Sequence, residues 1–285
     1  MKKNSSPISI PISIQTLSII TGITAAISFV LRIISLFFFY DDVGYYKTGA
    51  ILPIISNTLI ALSLIFILFA AIFSIDKKQS VEPTSKLSQY AALLPMGAAV
   101  FHLLRAFTTP FNDTFVNKYL FALSAIAAVV FFFLIFFAKK SLKNITFYVG
   151  VGALLYVTLC WMFTYFDFFV PINSTDKTFF YLASASALLF IFNEMCACYG
   201  FVRARFYYFS LFGAIIVLGV SSISAVIGYF CGIIKAYITL EADIFFIALL
   251  IYAITRLIDA QKSRKIEEPT MCEEKSQENI ANDSE

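Results

Sequence analysis

The sequence predicts an all-α membrane protein with eight transmembrane helices, and three observations carry that expectation. Of 285 residues, 60% are hydrophobic and only 14% charged, with a mean hydropathy of +0.83. Soluble chains average about a quarter charged residues, and a soluble domain cannot hide this much apolar surface. Several apolar runs reach the ~20 residues that a helix needs to cross a bilayer. Lys and Arg, finally, collect in alternate breaks between those runs.

Polar or helix-breaking residues bound each expected span in turn. Residues 1–15, in which Ile alternates with Ser or Pro from residue 4, suit a cytoplasmic or interfacial lead-in. Span 16–40 ends at Asp41-Asp42 and reads as a retained helix, because it is too long for a signal-peptide core. Span 49–75 follows Lys47 and precedes Lys77-Lys78. Span 88–109 follows Lys86 and stops at Pro110. Pro53 and Pro95 are expected to bend or break these two helices. Span 118–138 lies between Lys118 and Lys139-Lys140, and span 145–169 between Lys143 and Pro171-Ile172-Asn173. Span 178–202 runs from Lys177 to Arg203, span 207–233 from Arg205 to Lys235, and span 240–258 ends around Arg256. The eight spans form one transmembrane domain, 16–258. The remaining 259–285, with four basic and eight acidic residues and almost no apolar periodicity, is expected to be a disordered acidic cytoplasmic tail.

Basic residues set the orientation. With the N-terminus inside, the cytoplasmic segments and tail hold Lys2, Lys3, Lys77, Lys78, Lys86, Lys139, Lys140, Lys143, Arg203, Arg205, Arg256, Lys262, Arg264, Lys265 and Lys275. The outer loops hold only Lys47, Lys118, Lys177 and Lys235. Fifteen against four predicts that both termini are cytoplasmic, in a plasma membrane. The net charge of +3 is a product of this bias and carries no nucleic-acid footprint, since the cations are scattered over short loops.

Faint internal similarity suggests tandem helical hairpins. Ala25-Ala26 precedes Arg32 by the same interval at which Ala98-Ala99 precedes Arg105, and Leu31 and Leu104 match. Ser56, Ser124 and Ser184 recur in the returning helices. Membrane carriers are built from such repeats.

Ionisable groups inside spans cost at least ~2.5–3.5 kcal/mol and face the bundle interior or water. Arg32 lies ~13 Å below Asp41, Arg105 ~12 Å below Asp113, and Asn57 ~15 Å from Lys47, at 1.5 Å per residue. His102, the only histidine, shares a helix face with Arg105. Arg32, Asn57, His102 and Arg105 are therefore candidates for one ligand-binding cavity in the outward half. Asp42, Asp113 or Asp167 are the alternative, local partners for the arginines. Glu194, ~13 Å from the cytoplasmic end, is the intramembrane acidic candidate. Ser224, Gly228 and Gly232 in the seventh span, and Ala183 and Ala187 in the sixth, read as close-packing stripes.

Catalytic motifs are missing. There is no phosphate-binding glycine loop, nucleophile elbow, His-Glu-x-x-His or haem motif, so no catalytic residue, metal site or cofactor is assigned. Cys160, Cys196, Cys198 and Cys231 fall within apolar runs and Cys272 in the tail, a packing pattern rather than a disulfide framework. The expected partners are the lipid bilayer and a small polar or anionic solute. The first functional reading is a small-solute carrier or channel-like component. The alternative is a non-transporting interaction or sensory subunit that engages a protein through its loops and tail.

Overall fold

The computed structural model describes residues 13–41, 45–75, 81, 84–108, 117–137, 142–166, 174–234 and 240–282, with side chains in the last segment as far as Lys262. Among these the protein is helical, with no strand. The elements are α1 (Ile14–Phe39), α2 (Ile51–Ser74), α3 (Lys86–Ala91), α4 (Leu93–Thr108), α5 (Lys118–Phe137), α6 (Lys143–Tyr165), α7 (Thr175–Tyr199), α8 (Ala204–Phe230) and α9 (Leu240–Asn282). Among the described residues, seven stretches are long and apolar enough to cross a membrane: α1, α2, the continuous pair α3–α4, α5, α6, α7 and α8.

Local chemistry explains most boundaries. Ser13, Ser85 and Ser174 cap α1, α3 and α7 by accepting from the amides of Thr16, Ser88 and Lys177. Gly200 ends α7 in the left-handed conformation, at φ +87°, that only glycine adopts without cost. Pro95 lies four residues after Ala91 and has no N–H to donate to that carbonyl, and the third span accordingly divides at Ala92. Pro53 leaves α2 unbroken because it sits in the first turn, where no helical partner is lost.

Two expectations about the seventh and eighth spans need correction. Helix α8 stops at Phe230, so Gly232 belongs to a closing turn at φ +71° and not to a packing stripe. At Gly228 a Cβ would meet the Ile234 side chain of that same turn at 2.7 Å, so its close approach is to the turn and not to a neighbouring helix. At the other boundary, helix α9 does not stop at residue 258. Asp259 and Ala260, expected to start the tail, are buried against the bundle, and the backbone stays helical to Asn282.

Helices α4 through α9 pack in chain order, and α9 returns to α4, which closes a ring of six. Aromatic side chains fill its interior. Phe132 on α5 meets Phe245 and Tyr252 of α9, Tyr156 of α6 meets Phe245, and Phe190 of α7 meets Tyr252. All five rings are fully buried. The α1–α2 hairpin stands outside the ring and docks on α8. Hence α8 is the most enclosed span, and it is apolar around most of its circumference as burial on all sides requires. Ser56, Ser124 and Ser184, the recurring serines, are all buried.

Candidate functional site

Two clusters of buried charge lie near opposite ends of the bundle. The first surrounds Arg32, seven residues before the end of α1 and so ~10 Å inside it. Its guanidinium is 2% exposed and donates from Nη2 to Asp176 Oδ1 at 3.2 Å, and it stacks on the Phe179 ring at 3.9 Å. The Asp176 carboxylate also accepts from the Tyr40 hydroxyl. As the second residue of α7, Asp176 sits where unpaired amides and the helix dipole favour a negative charge.

Arg32 Nε and Nη1 are buried and have no hydrogen-bond partner in the protein. The Tyr46 hydroxyl, whose ring lies 5.3 Å from the Arg32 carbon, is likewise unpartnered. Beside them is a small cavity of about 30 Å³, lined by Arg32, Thr164, Asp176, Lys177, Ser221 and Asp243 among others. Five helices, α1, α6, α7, α8 and α9, contribute polar groups to it. A site for one water needs roughly 10–15 Å³ on this measure, so the space suits one or two waters or one small ion.

The second cluster surrounds Glu194 on α7. Its Oε1 accepts from Arg256 Nε at 2.9 Å and from the Tyr207 hydroxyl at 2.5 Å, and Oε2 accepts from the Tyr252 hydroxyl at 3.0 Å. Arg256 Nη1 lies 3.6 Å from Asp259 Oδ2. Asp259 in turn accepts from the Ser85 amide and hydroxyl and from the Ser88 hydroxyl, at 3.1, 2.5 and 2.6 Å. No side-chain atom of this cluster is buried without a partner. A buried pair is tolerated when further hydrogen bonds satisfy its remaining atoms, and here they do.

The other sequence candidates go elsewhere. His102 Nδ1 pairs with the Tyr156 hydroxyl at 2.8 Å, with Cys160 Sγ at 4.0 Å, and its ring packs on Phe121. Arg105 is half exposed and donates to Glu241 at 3.0 Å. Asn57 is exposed on α2, on a face turned away from the bundle. Of the four expected cavity residues, only Arg32 lines the cavity. Asp42, Asp113 and Asp167, the alternative local partners of the arginines, lie outside the described residues.

Sequence reasoning misses Asp176 and Lys177, which it sets outside the spans, Asp243 and Arg256, which fall in span 240–258 without being singled out, and Asp259, which it sets at the start of the tail. Asp176, Lys177 and Asp243 sit within the first four residues of α7 or α9, and Arg256 and Asp259 are buried midway along α9. A carboxylate beside a serine N-cap, as in Ser174-Thr175-Asp176, is the signal that puts Asp176 on a helix. The free cysteines Cys160, Cys196, Cys198 and Cys231 are unpaired with one another, and among the described residues no group of three metal-ligating side chains converges. Comparison of the chain with family models, with curated proteins and with solved structures finds no match.

Proposed function

We propose that this chain is a carrier of a small polar or anionic solute, which it binds at the Arg32 cavity. It has eight spans and cytoplasmic termini, and it resides in the plasma membrane. The observation that carries the reading is the pair of unpartnered Arg32 donors, Nε and Nη1, beside an enclosed cavity. Arginine offers donors and no acceptor, so whatever completes this site must supply lone pairs. Water, a small anion or a carbonyl or hydroxyl oxygen fits that demand; a bare cation does not. Lys177 adds a second positive charge to the lining, while Asp176 and Asp243 keep the cavity near neutrality. An intramembrane ionisable group is a functional candidate by default, since its insertion is costly.

The eighth span in this reading is the apolar part of α9, which packs between α8 and α4 and buries Phe245, Phe246, Leu249 and Tyr252. The bias of basic residues supports the orientation. A second reading, a non-transporting component that engages a protein partner through its cytoplasmic tail, is favoured by the aromatic filling of the six-helix ring, which leaves no passage down that axis.

The test uses the purified full chain in sodium gluconate, titrated with sodium chloride, bromide, nitrate and formate while the unfolding temperature is followed. At least one of these ions is expected to raise it saturably, and Arg32→Gln to abolish the rise. Flux of that ion into proteoliposomes should then exceed that of protein-free vesicles. If none of the four shifts the wild-type unfolding temperature, the anion-binding reading fails; binding without flux favours the second reading.

A further inference from the structure

The buried face of α1 is polar where it should be greasy. Thr21, Ser28, Arg32 and Ser35, at helical spacing, are each no more than 2% exposed and form one stripe on the helix that docks against α8. Serine and threonine in apolar helices normally turn back to a carbonyl one turn earlier. Ser18, Thr24 and Ser35 of α1 do so, donating to Ile14, Ile20 and Leu31, as do Ser221 and Ser224 of α8 to Val217 and Val220. Thr21 and Ser28 do not, nor does Ser222 of α8; their buried hydroxyls have no partner.

Two spaces adjoin this side of α1. Thr21 lines a groove of about 270 Å³ between α1, α2 and α8, bounded by Ile20, Thr24, Ser63, Phe66 and Ile216. Arg32 lines the cavity near the opposite end. Eight residues of α1 separate Thr24 from Arg32, ~12 Å, and five residues of α8 separate Ile216 from Ser221, ~7.5 Å. Ser28 lies within the α1 interval and Ser222 follows Ser221 directly on α8, and the Ser28 carbonyl accepts from Ser56 of α2 at 3.5 Å. An unsatisfied polar group in a low-dielectric interior costs free energy that water recovers.

We propose that the seam between the α1–α2 hairpin and α8 is hydrated and forms the path to the Arg32 cavity, in place of the axis of the ring. The seam rests on the carrier reading for the identity of what moves along it, but its hydration stands on the orphaned hydroxyls alone. Hairpin and ring would separate slightly during passage, which the side position of the hairpin allows without breaking the closed ring.

The proposal is tested in proteoliposomes, in gluconate and without any added anion. Thr21→Cys, Ser28→Cys and Ser222→Cys are compared with Phe132→Cys and Phe245→Cys, using the water-soluble reagent sulfonatoethyl methanethiosulfonate above the background of the parent chain. The seam cysteines should react faster by roughly tenfold or more, because an apolar surround suppresses the reactive thiolate. Equal or faster reaction at Phe132→Cys or Phe245→Cys would overturn the proposal, as would seam cysteines no more reactive than the parent. Hydroxyl-radical footprinting of the unsubstituted chain removes any dependence on variant folding: oxidation at Ile216 and Phe66 supports the seam, and protection there equal to that of Phe132 refutes it. Labelling of the seam in a protein that shows no anion effect would sink the ligand reading alone.

Discussion

The two buried charge clusters share their chemistry and differ in saturation. Each pairs one arginine with a carboxylate supplied by α7, and each draws in tyrosine hydroxyls. Around Glu194, no buried polar side-chain atom lacks a partner, and two carboxylates, three hydroxyl-bearing helices and a capped helix start are tied into one network. Around Arg32, only one of the three guanidinium nitrogens has a protein acceptor, and the group lies beside a cavity. A satisfied network fixes a structure, whereas an incomplete one beside a cavity is poised for a ligand. Under the proposed function, burial alone does not separate a structural charge from a ligand-binding one; the count of unmet donors does.

The largest expected effect is at the saturated cluster. Arg256→Ala leaves Glu194 and Asp259 without their cation in a dry interior, and removing one member of such a pair typically costs about 3–5 kcal/mol. Thermal unfolding of the purified variant in detergent should show a larger loss than any single substitution at Arg32 or Arg105. Glu194→Gln combined with Arg256→Met should cost less than the two separate losses added, because the partners are coupled. Additivity would mean that the cluster is not a unit.

An intermediate effect is expected at Arg32. Arg32→Ala forfeits one charge-assisted bond, worth about 1.5–3 kcal/mol, while Tyr40 continues to serve Asp176. Arg32→Lys should restore much of the stability and still lose the anion-dependent rise, because an ammonium cannot reproduce the planar donor fork. Recovery of both properties in the lysine variant would assign Arg32 a purely electrostatic role.

Smaller still is Arg105→Ala. Its pair with Glu241 is half exposed, and exposed pairs contribute about 0–1 kcal/mol. A loss as large as that of Arg32→Ala, measured in the same unfolding assay, would contradict the depth argument. Truncation after Gln261 should change unfolding least of all, since it spares the buried Asp259 and Ala260 and removes a polar, acidic segment.

Much of this architecture is legible in the sequence, and the illegible part has a physical pattern. The helical segments follow from apolar runs bounded by charged or breaking residues, and they begin and end within a few residues of the expected positions, except that α9 runs on to Asn282. That Arg32 and Glu194 would be buried follows from their depth in those runs. Their partners do not: Asp176 is 144 positions from Arg32, and Arg256 is 62 from Glu194. Such pairings exist because the ring closes α9 on α4 and the first hairpin docks on α8, and no local pattern encodes either event. The same limit defeats the repeat as a guide to chemistry. Arg32 and Arg105 follow matching sequence patterns, yet one is enclosed by the docking of α1 and the other lies half in the open. Helical periodicity likewise places His102 beside Arg105, but its ring turns to Tyr156 inside the ring of helices.

The difference between the clusters is tested most directly by an experimental density map of the protein in chloride-containing buffer, at a resolution that shows bound water. The account predicts an ordered water or ion within about 3 Å of Arg32 Nε or Nη1, the hydrogen-bond distance for nitrogen donors, and no such species in contact with Glu194. Protein acceptors on both Arg32 nitrogens, or a solvent-filled Glu194 cluster beside a dry Arg32, would contradict it.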